Sequence, residues 1–146
     1  MRLQKNTRLA LYSVLEFAAA PGRHVAAFEI ADKYGVSPHH LAKVLSVLAH
    51  EGIVESVRGV GGGYRFAANA RRLTLDDVIR CFEDDSSAGA ARRDAGERTP
   101  AGRAIATVLA EIDEIERATF RSITIATMLR IMARQDAAPP ARRPRR

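Results

Sequence analysis

The stretch IVESVRGVGGGYRFA, residues 53–67, limits the fold more than any other part of the chain. Two short runs of β-forming residues flank the loop RGVGGG. In the first run Ile53, Glu55 and Val57 alternate with Val54 and Ser56, the period of a strand, and YRFA supplies a second strand. The pattern predicts a β-hairpin with a glycine tip. Gly59, Gly61, Gly62 and Gly63 let backbone N–H groups approach an anion closely, because no Cβ intervenes. Arg58 and Arg65 stand on either side of that tip. A nucleotide loop fits poorly. A dinucleotide fingerprint leads from a strand into a helix, and a P-loop ends in Gly-Lys-Ser/Thr. Here the glycines lead into another strand. A plain turn without contacts is the other reading, but it needs fewer glycines.

Three helical patterns precede the hairpin. TRLALYSVLEFAAAPG places Leu11, Val14, Leu15 and Ala18 at helical spacing, with Thr7 as N-cap and Pro21-Gly22 as the stop. AAFEIADKYG follows, with Phe28, Ile30, Ala31 and Tyr34 as packing residues and Gly35 at the left-handed C-terminal position. Ser37 as N-cap and Pro38 at the first helical position then start PHHLAKVLSVLAHEG. Its apolar stripe is Leu41, Val44, Leu45 and Leu48. Helix, helix, tight glycine turn, helix and hairpin is the order of a winged helix-turn-helix, whose second turn-linked helix enters a DNA major groove.

After the hairpin, LTLDDVIRCFE reads as a fourth helix, capped by Thr74, with Asp76 and Asp77 in its first turn where the helix dipole favours them. Residues 84–99 are polar and aperiodic, which predicts a loop. A long helix follows from residue 100, with Ile105, Val108, Leu109, Ile112, Ile115, Phe120 and Ile123 at 3/4 spacing. Thr124 caps a last helix, IATMLRIMAR. The expected fold is mainly α with a small hairpin. Its parts are a DNA-binding head over 1–83, a loop over 84–100, dimerisation helices over 101–134 and an unstructured Arg/Pro-rich tail over 135–146.

Charge is distributed in keeping with that division. The chain has 146 residues and a net charge of +6. Residues 1–80 hold 11 Lys/Arg against 7 Asp/Glu, residues 81–135 hold 8 against 9, and residues 136–146 hold 4 against 1. The excess points to a polyanionic partner for the N-terminal half. Arg2, Lys5 and the arginine tail are further candidates for backbone contacts. One cysteine, Cys81, excludes an internal disulfide and a metal site of several thiolates. No apolar run approaches the roughly 18 residues of a membrane span. The N-terminal segment resembles a secretion leader only superficially, because Tyr12, Ser13 and Glu16 break it. A cytoplasmic protein is expected.

MRLQKNTRLAL, EIADKYGVSPHHLAKVLSVLAHEGIVESVRGVGGGYRFA and LTLDDVIRCFE together resemble the Rrf2 family of bacterial winged-helix transcriptional regulators. The resemblance is dense over 1–83 and weaker over 101–132, where SITIATML is similar to the family's closing helix. It implies a homodimer on a partly palindromic double-stranded operator, with the recognition helix beginning at Ser37–Lys43 and Arg58 at the start of the wing. The DNA-contact candidates are Ser37, Pro38, His39, His40, Lys43, Arg58, Gly59, Gly61, Gly62, Gly63, Tyr64 and Arg65. His39 and His40 diverge around the helix axis and make a poor shared metal site. The long helix carries the dimer contacts through its apolar stripe.

Well-studied members of that family hold an iron–sulfur cluster through three cysteines in the loop before the long helix. Here that loop, DDSSAGAARRDAGERTP, has no cysteine and no histidine. A further ligand near the start of the first helix in some members corresponds to Arg8, which cannot ligate iron. No cofactor is expected, and the effector is an unidentified small molecule or protein. Cys81 reads as a structural cysteine inside the fourth helix, with a one-cysteine redox sensor as the sharper alternative. A protein-interaction scaffold that has lost DNA binding is the rival class. No Ser/His/Asp or Cys/His set suggests an enzyme.

Overall fold

The computed structural model describes residues 3–83 and 95–137. Its elements are α1 (Lys5–Ala19), α2 (Ala27–Tyr34), α3 (Pro38–His50), β1 (Val54–Val57), β2 (Gly63–Phe66), α4 (Leu75–Arg80), α5 (Pro100–Ser122) and α6 (Ile125–Ala137), with a 3₁₀ turn at Ala95–Arg98. Helix α1 is the centre of the head: α2, α3, α4, α6 and β2 all touch it.

That central position changes which face of α1 is buried. Helical spacing alone puts Leu11, Val14, Leu15 and Ala18 inside. The buried residues are Thr7, Leu9, Ala10, Ser13, Val14, Phe17 and Ala18, so the buried face is rotated by about a quarter turn. Leu11 and Leu15 lie at its edge, half-buried. Thr7 is not the cap either. The N-cap is Gln4, which offers no side-chain bond. Glu83, just past α4, does the capping: its Oε1 accepts the Gln4 N–H at 2.9 Å and the Thr7 hydroxyl at 2.6 Å. A carboxylate there also suits the positive end of the helix dipole.

The helix-turn-helix follows its sequence signals closely. Gly35 ends α2 in the left-handed conformation, φ +62°. Ser37 Oγ accepts the His40 N–H at 3.1 Å, and Pro38 opens α3. Leu41, Val44, Leu45 and Leu48 are all buried. In α2, Ile30 and Ala31 are buried and Tyr34 is half-buried, but Phe28 is 69% exposed. Phe28 instead lines an open cleft with Asp32, Gly35 and Pro38, so its aromatic ring faces solvent.

The hairpin pairs Val54 with Phe66 and Val57 with Gly63. Val54 points into the core, while Ile53 is buried in the turn before β1, where its N–H reaches Leu48 O at 3.0 Å. Val25 adds a bridge to β2: its N–H donates to Tyr64 O at 2.8 Å, and the Tyr64 N–H donates back to Val25 O at 2.9 Å. This bridge explains part of the glycine run. A Cβ on Gly63 would lie 2.5 Å from Val25 O, and one on Gly62 would run into Val57 O. Both glycines are therefore required by close backbone approach, before any ligand is considered.

Helix α4 starts on a reciprocal cap, the Asp77 N–H to Thr74 Oγ1 at 3.2 Å and the Thr74 N–H to Asp77 Oδ2 at 2.9 Å. It ends at Arg80, earlier than its pattern suggests, so Cys81 is the C-cap and not an interior residue. Asp76 is buried and meets Arg121 of α5 at 3.3 Å. The α5–α6 junction is bonded to the segment before α4 by Leu75 N–H to Ile123 O at 2.9 Å and Ile125 N–H to Leu73 O at 2.8 Å. Thr124 Oγ1 caps α6, accepting the Thr127 N–H at 3.2 Å. Two boundaries differ from the sequence reading. Ala95–Arg98 form a 3₁₀ turn inside the expected loop, and α6 continues through Gln135–Ala137, into the expected tail. The loop over 84–94 and the tail from 138 lie outside the described residues.

Gly63→Ala is expected to lower stability by about 1–3 kcal/mol, the usual cost of forcing atoms into occupied space. Urea denaturation monitored by circular dichroism measures it. An unchanged midpoint would show that β2 is not docked against Val25.

Candidate nucleic-acid interface

Burying Leu41, Val44, Leu45 and Leu48 leaves the opposite face of α3 to solvent. His39, Ala42, Lys43, Ser46 and His50 are exposed there, at 3/4 spacing. Ser37 and Pro38 are exposed at the helix start. Helix α3 contains no carboxylate, so its outward face is cationic or neutral. Ala42 and Ser46 were not singled out from sequence. The signal existed: they lie three and seven residues beyond His39, on the same face.

The predicted residues divide by how free they are. His40 is half-buried, and its Nε2 lies 2.6 Å from Asn6 Oδ1 of α1. Asn6 accepts, so this imidazole nitrogen is the donor. The bond aims the ring at α1 and leaves His39 as the outward histidine. Arg65 is also engaged: its Nε and Nη2 both reach Glu55 Oε2, at 2.8 and 2.6 Å, across the hairpin register. The pair is close to neutral. Arg58 sits exposed at the start of the tip and has no ion-pair partner among the described residues. Gly59 and Gly61 are exposed beside it, whereas Gly62, Gly63 and Tyr64 are partly covered. β1 packs on α3, which puts the tip of the hairpin and the outward face of α3 in one body.

A polar strut holds α2 against α1. Glu16 Oε1 accepts from Lys33 Nζ at 2.6 Å and from the Tyr34 hydroxyl at 2.5 Å. Burial pushes the Glu16 carboxyl up, but the bonds from Lys33 and Tyr34 outweigh it and hold the group below its ordinary value of 4.5. A carboxyl held low in the folded state contributes stability that is fully present above its unfolded value and lost as pH falls through the folded one. Glu16→Gln is therefore expected to flatten the acid limb of the stability–pH curve below about pH 4.5. Unfolding midpoints measured across that limb test it, and parallel curves for both proteins would contradict it.

Cys81 is half-buried, with its Sγ donating to Asp77 O at 3.1 Å. Burial, then the charges of Glu51 and Asp77, push the thiol pKa up from its ordinary value. A raised pKa lowers the thiolate fraction, the reverse of what a redox sensor needs. Cys81 is expected to react with iodoacetamide more slowly than free cysteine at neutral pH, and faster reaction would revive the sensor reading.

The dimer candidates also divide. Ile105, Val108, Leu109, Ile112 and Ile115 are 53–67% exposed, and α5 has no buried residue. Phe120 and Ile123 instead pack on the core of their own chain. They are where α5 attaches to the head, and the stripe open to a second chain ends before them.

The comparisons fit this geometry. The family model Rrf2, described as iron-dependent transcriptional regulator, matches residues 3–131. BadM of Rhodopseudomonas palustris, named as an HTH-type transcriptional regulator, is 49% identical over 132 residues, covering 90% of this chain and 83% of its own. Two solved structures share the fold at 24% identity. CymR, the global cysteine regulator of B. subtilis, has a TM-score of 0.74 over 90% of this chain and 98% of its own. IscR of T. potens has a TM-score of 0.70 over 100% and 94%. The family description names iron, and an iron–sulfur cluster needs several thiolate or imidazole donors. The chain has one cysteine, at the α4 C-cap, and no group of three or more His, Cys, Asp or Glu among the described residues is placed to hold a metal ion. That donor set does not fit an iron–sulfur cluster held by cysteines. No helix among the described residues is long and apolar enough to cross a membrane. With a helix-turn-helix, a glycine-tipped wing and a family match spanning nearly all of the described residues, this chain belongs to the Rrf2 family of winged-helix transcriptional regulators.

Proposed function

We propose that this regulator is a homodimer that binds a partly palindromic operator, with α3 in the major groove and the hairpin against the flanking backbone, and that it represses by occupying that site. The carrying observation is the outward face of α3: His39, Lys43 and Ser46 exposed, no carboxylate on the helix, and Arg58 on the adjoining wing without an ion-pair partner among the described residues. Hydrogen bonds from such residues to base edges specify sequence, and cations on phosphates supply affinity. The five exposed apolar side chains of α5 support the dimer. Each Ile, Leu or Val fully buried contributes about 1.5–3 kcal/mol. Two-fold symmetry would then present two copies of α3 to two half-sites. Control by an effector, without an iron–sulfur cluster, completes the proposal.

Selection of bound fragments from genomic DNA at two salt concentrations tests this directly. An enriched two-fold motif that persists at the higher salt supports it. Binding that vanishes as salt rises, with no motif, favours a scaffold role. On the selected operator, Arg58→Ala is expected to cost about 1–3 kcal/mol of specific binding and much less on random DNA. Lys43→Ala is expected to lower the salt slope by about one. Fluorescence anisotropy reads both, and equal loss on every sequence would remove Arg58 from base or groove reading. Ile112→Glu is expected to give a folded monomer in sedimentation, with operator affinity reduced. A dimer that survives this change would place the interface elsewhere.

A further inference from the structure

A cavity of about 400 Å³ lies between the start of α1 and the α2–α3 turn, within the range of small-molecule sites. Its chemistry is divided. One side is a flat aromatic wall, because Tyr12 and Tyr34 stack with centroids 4.9 Å apart and planes 9° apart. Leu3, Leu9 and Val36 supply aliphatic surface. Lys5 and Arg8 stand at the rim, one helical turn apart, and neither has an ion-pair partner among the described residues. Arg8 Nη2 donates to the Tyr12 hydroxyl at 3.1 Å, which steadies the guanidinium and leaves most of its five N–H donors available. Glu16, which bonds the Tyr34 hydroxyl from α1, also takes Lys33. The site is thus apolar and aromatic on its walls, with two cations at one end that have no ion-pair partner among the described residues.

We infer that this cavity binds a small organic carboxylate, its anionic end on Arg8 and its apolar body between the tyrosine wall and Leu9. A guanidinium takes a carboxylate through two parallel hydrogen bonds, which a neutral amide cannot match. Tyr34 and Val36 flank the turn that leads into α3, and Arg8 and Tyr12 belong to α1. An occupant therefore touches both bodies whose relative stance aims the reading helix. This deepens the proposed function by naming an effector class. The control of DNA binding rests on that reading, but the binding itself does not.

Equilibrium dialysis of the full chain, without DNA, against phenylacetate, hexanoate and the neutral phenylacetamide tests the inference. At least one acid is expected to bind at one site per chain, at least about tenfold tighter than the amide, since a charge-assisted hydrogen bond is worth about 1.5–3 kcal/mol. Arg8→Gln is expected to bring the acid down to the level of the amide, and Arg8→Lys to restore part of the difference. Arg134→Ala, on the exposed side of α6, should leave acid binding unchanged. Circular dichroism confirms that each variant is folded. Equal binding of acid and amide, full binding by Arg8→Gln, or no acid bound at millimolar concentration would overturn the inference. Because no DNA is present, failure to find an operator would leave a positive dialysis result standing.

Discussion

Helix α1 is buried along an arc of about half its circumference, and the other elements of the head are placed by what they cover on it. Phe17, Val14 and Ala10 have no measurable exposure. Helix α3 packs on this surface through Leu41, Val44, Leu45 and Leu48, and that packing decides which face of α3 remains outside. The outward display of His39, Lys43 and Ser46 is therefore a consequence of apolar burial. The surface proposed to read DNA is what the core leaves over.

The same helix gathers the polar connections. Its first turn is bonded to the end of α4 through Glu83 and to the first turn of α3 through Asn6 and His40. Its middle is bonded to α2 through Glu16. Each partner comes from a separate element, so the orientation of α3 is coupled to several neighbours. Rotation of α1 by a fraction of a turn would disturb all of them together. A regulator needs such a coupling, since an effector acts only through differential contacts with two arrangements. The cavity beside Arg8 lies at this junction.

The glycine run has a double account. Gly62 and Gly63 are required by the hairpin and by its bridge to Val25, so part of the pattern that suggests a phosphate cradle has a purely steric cause. Arg65 shows the same economy: its charge is absorbed by Glu55 within the sheet. What is left for a partner is narrower than the sequence pattern suggests, namely Arg58 and the exposed backbone around Gly59 and Gly61.

The order of elements, the caps at Ser37 and Thr74 and the buried stripe of α3 were legible in the sequence, because each depends on residues within a few positions of one another. Local rules suffice where one face of a helix meets one neighbour. They fail on α1, where several neighbours share the burial and the buried arc turns away from Leu11 and Leu15 toward Leu9, Ala10 and Phe17. They fail again at Thr7, whose partner Glu83 lies 76 residues away, and at His40 and Arg65, whose bonds no spacing announces. On α5 the spacing identified a single apolar stripe. Only the tertiary structure divided it, seating Phe120 and Ile123 on their own core and leaving Ile105 to Ile115 exposed. Sequence determined the elements and their termini, because backbone conformation and capping are short-range. The fold decided which side chains are consumed internally and which remain for a partner, because that depends on what long-range packing brings alongside.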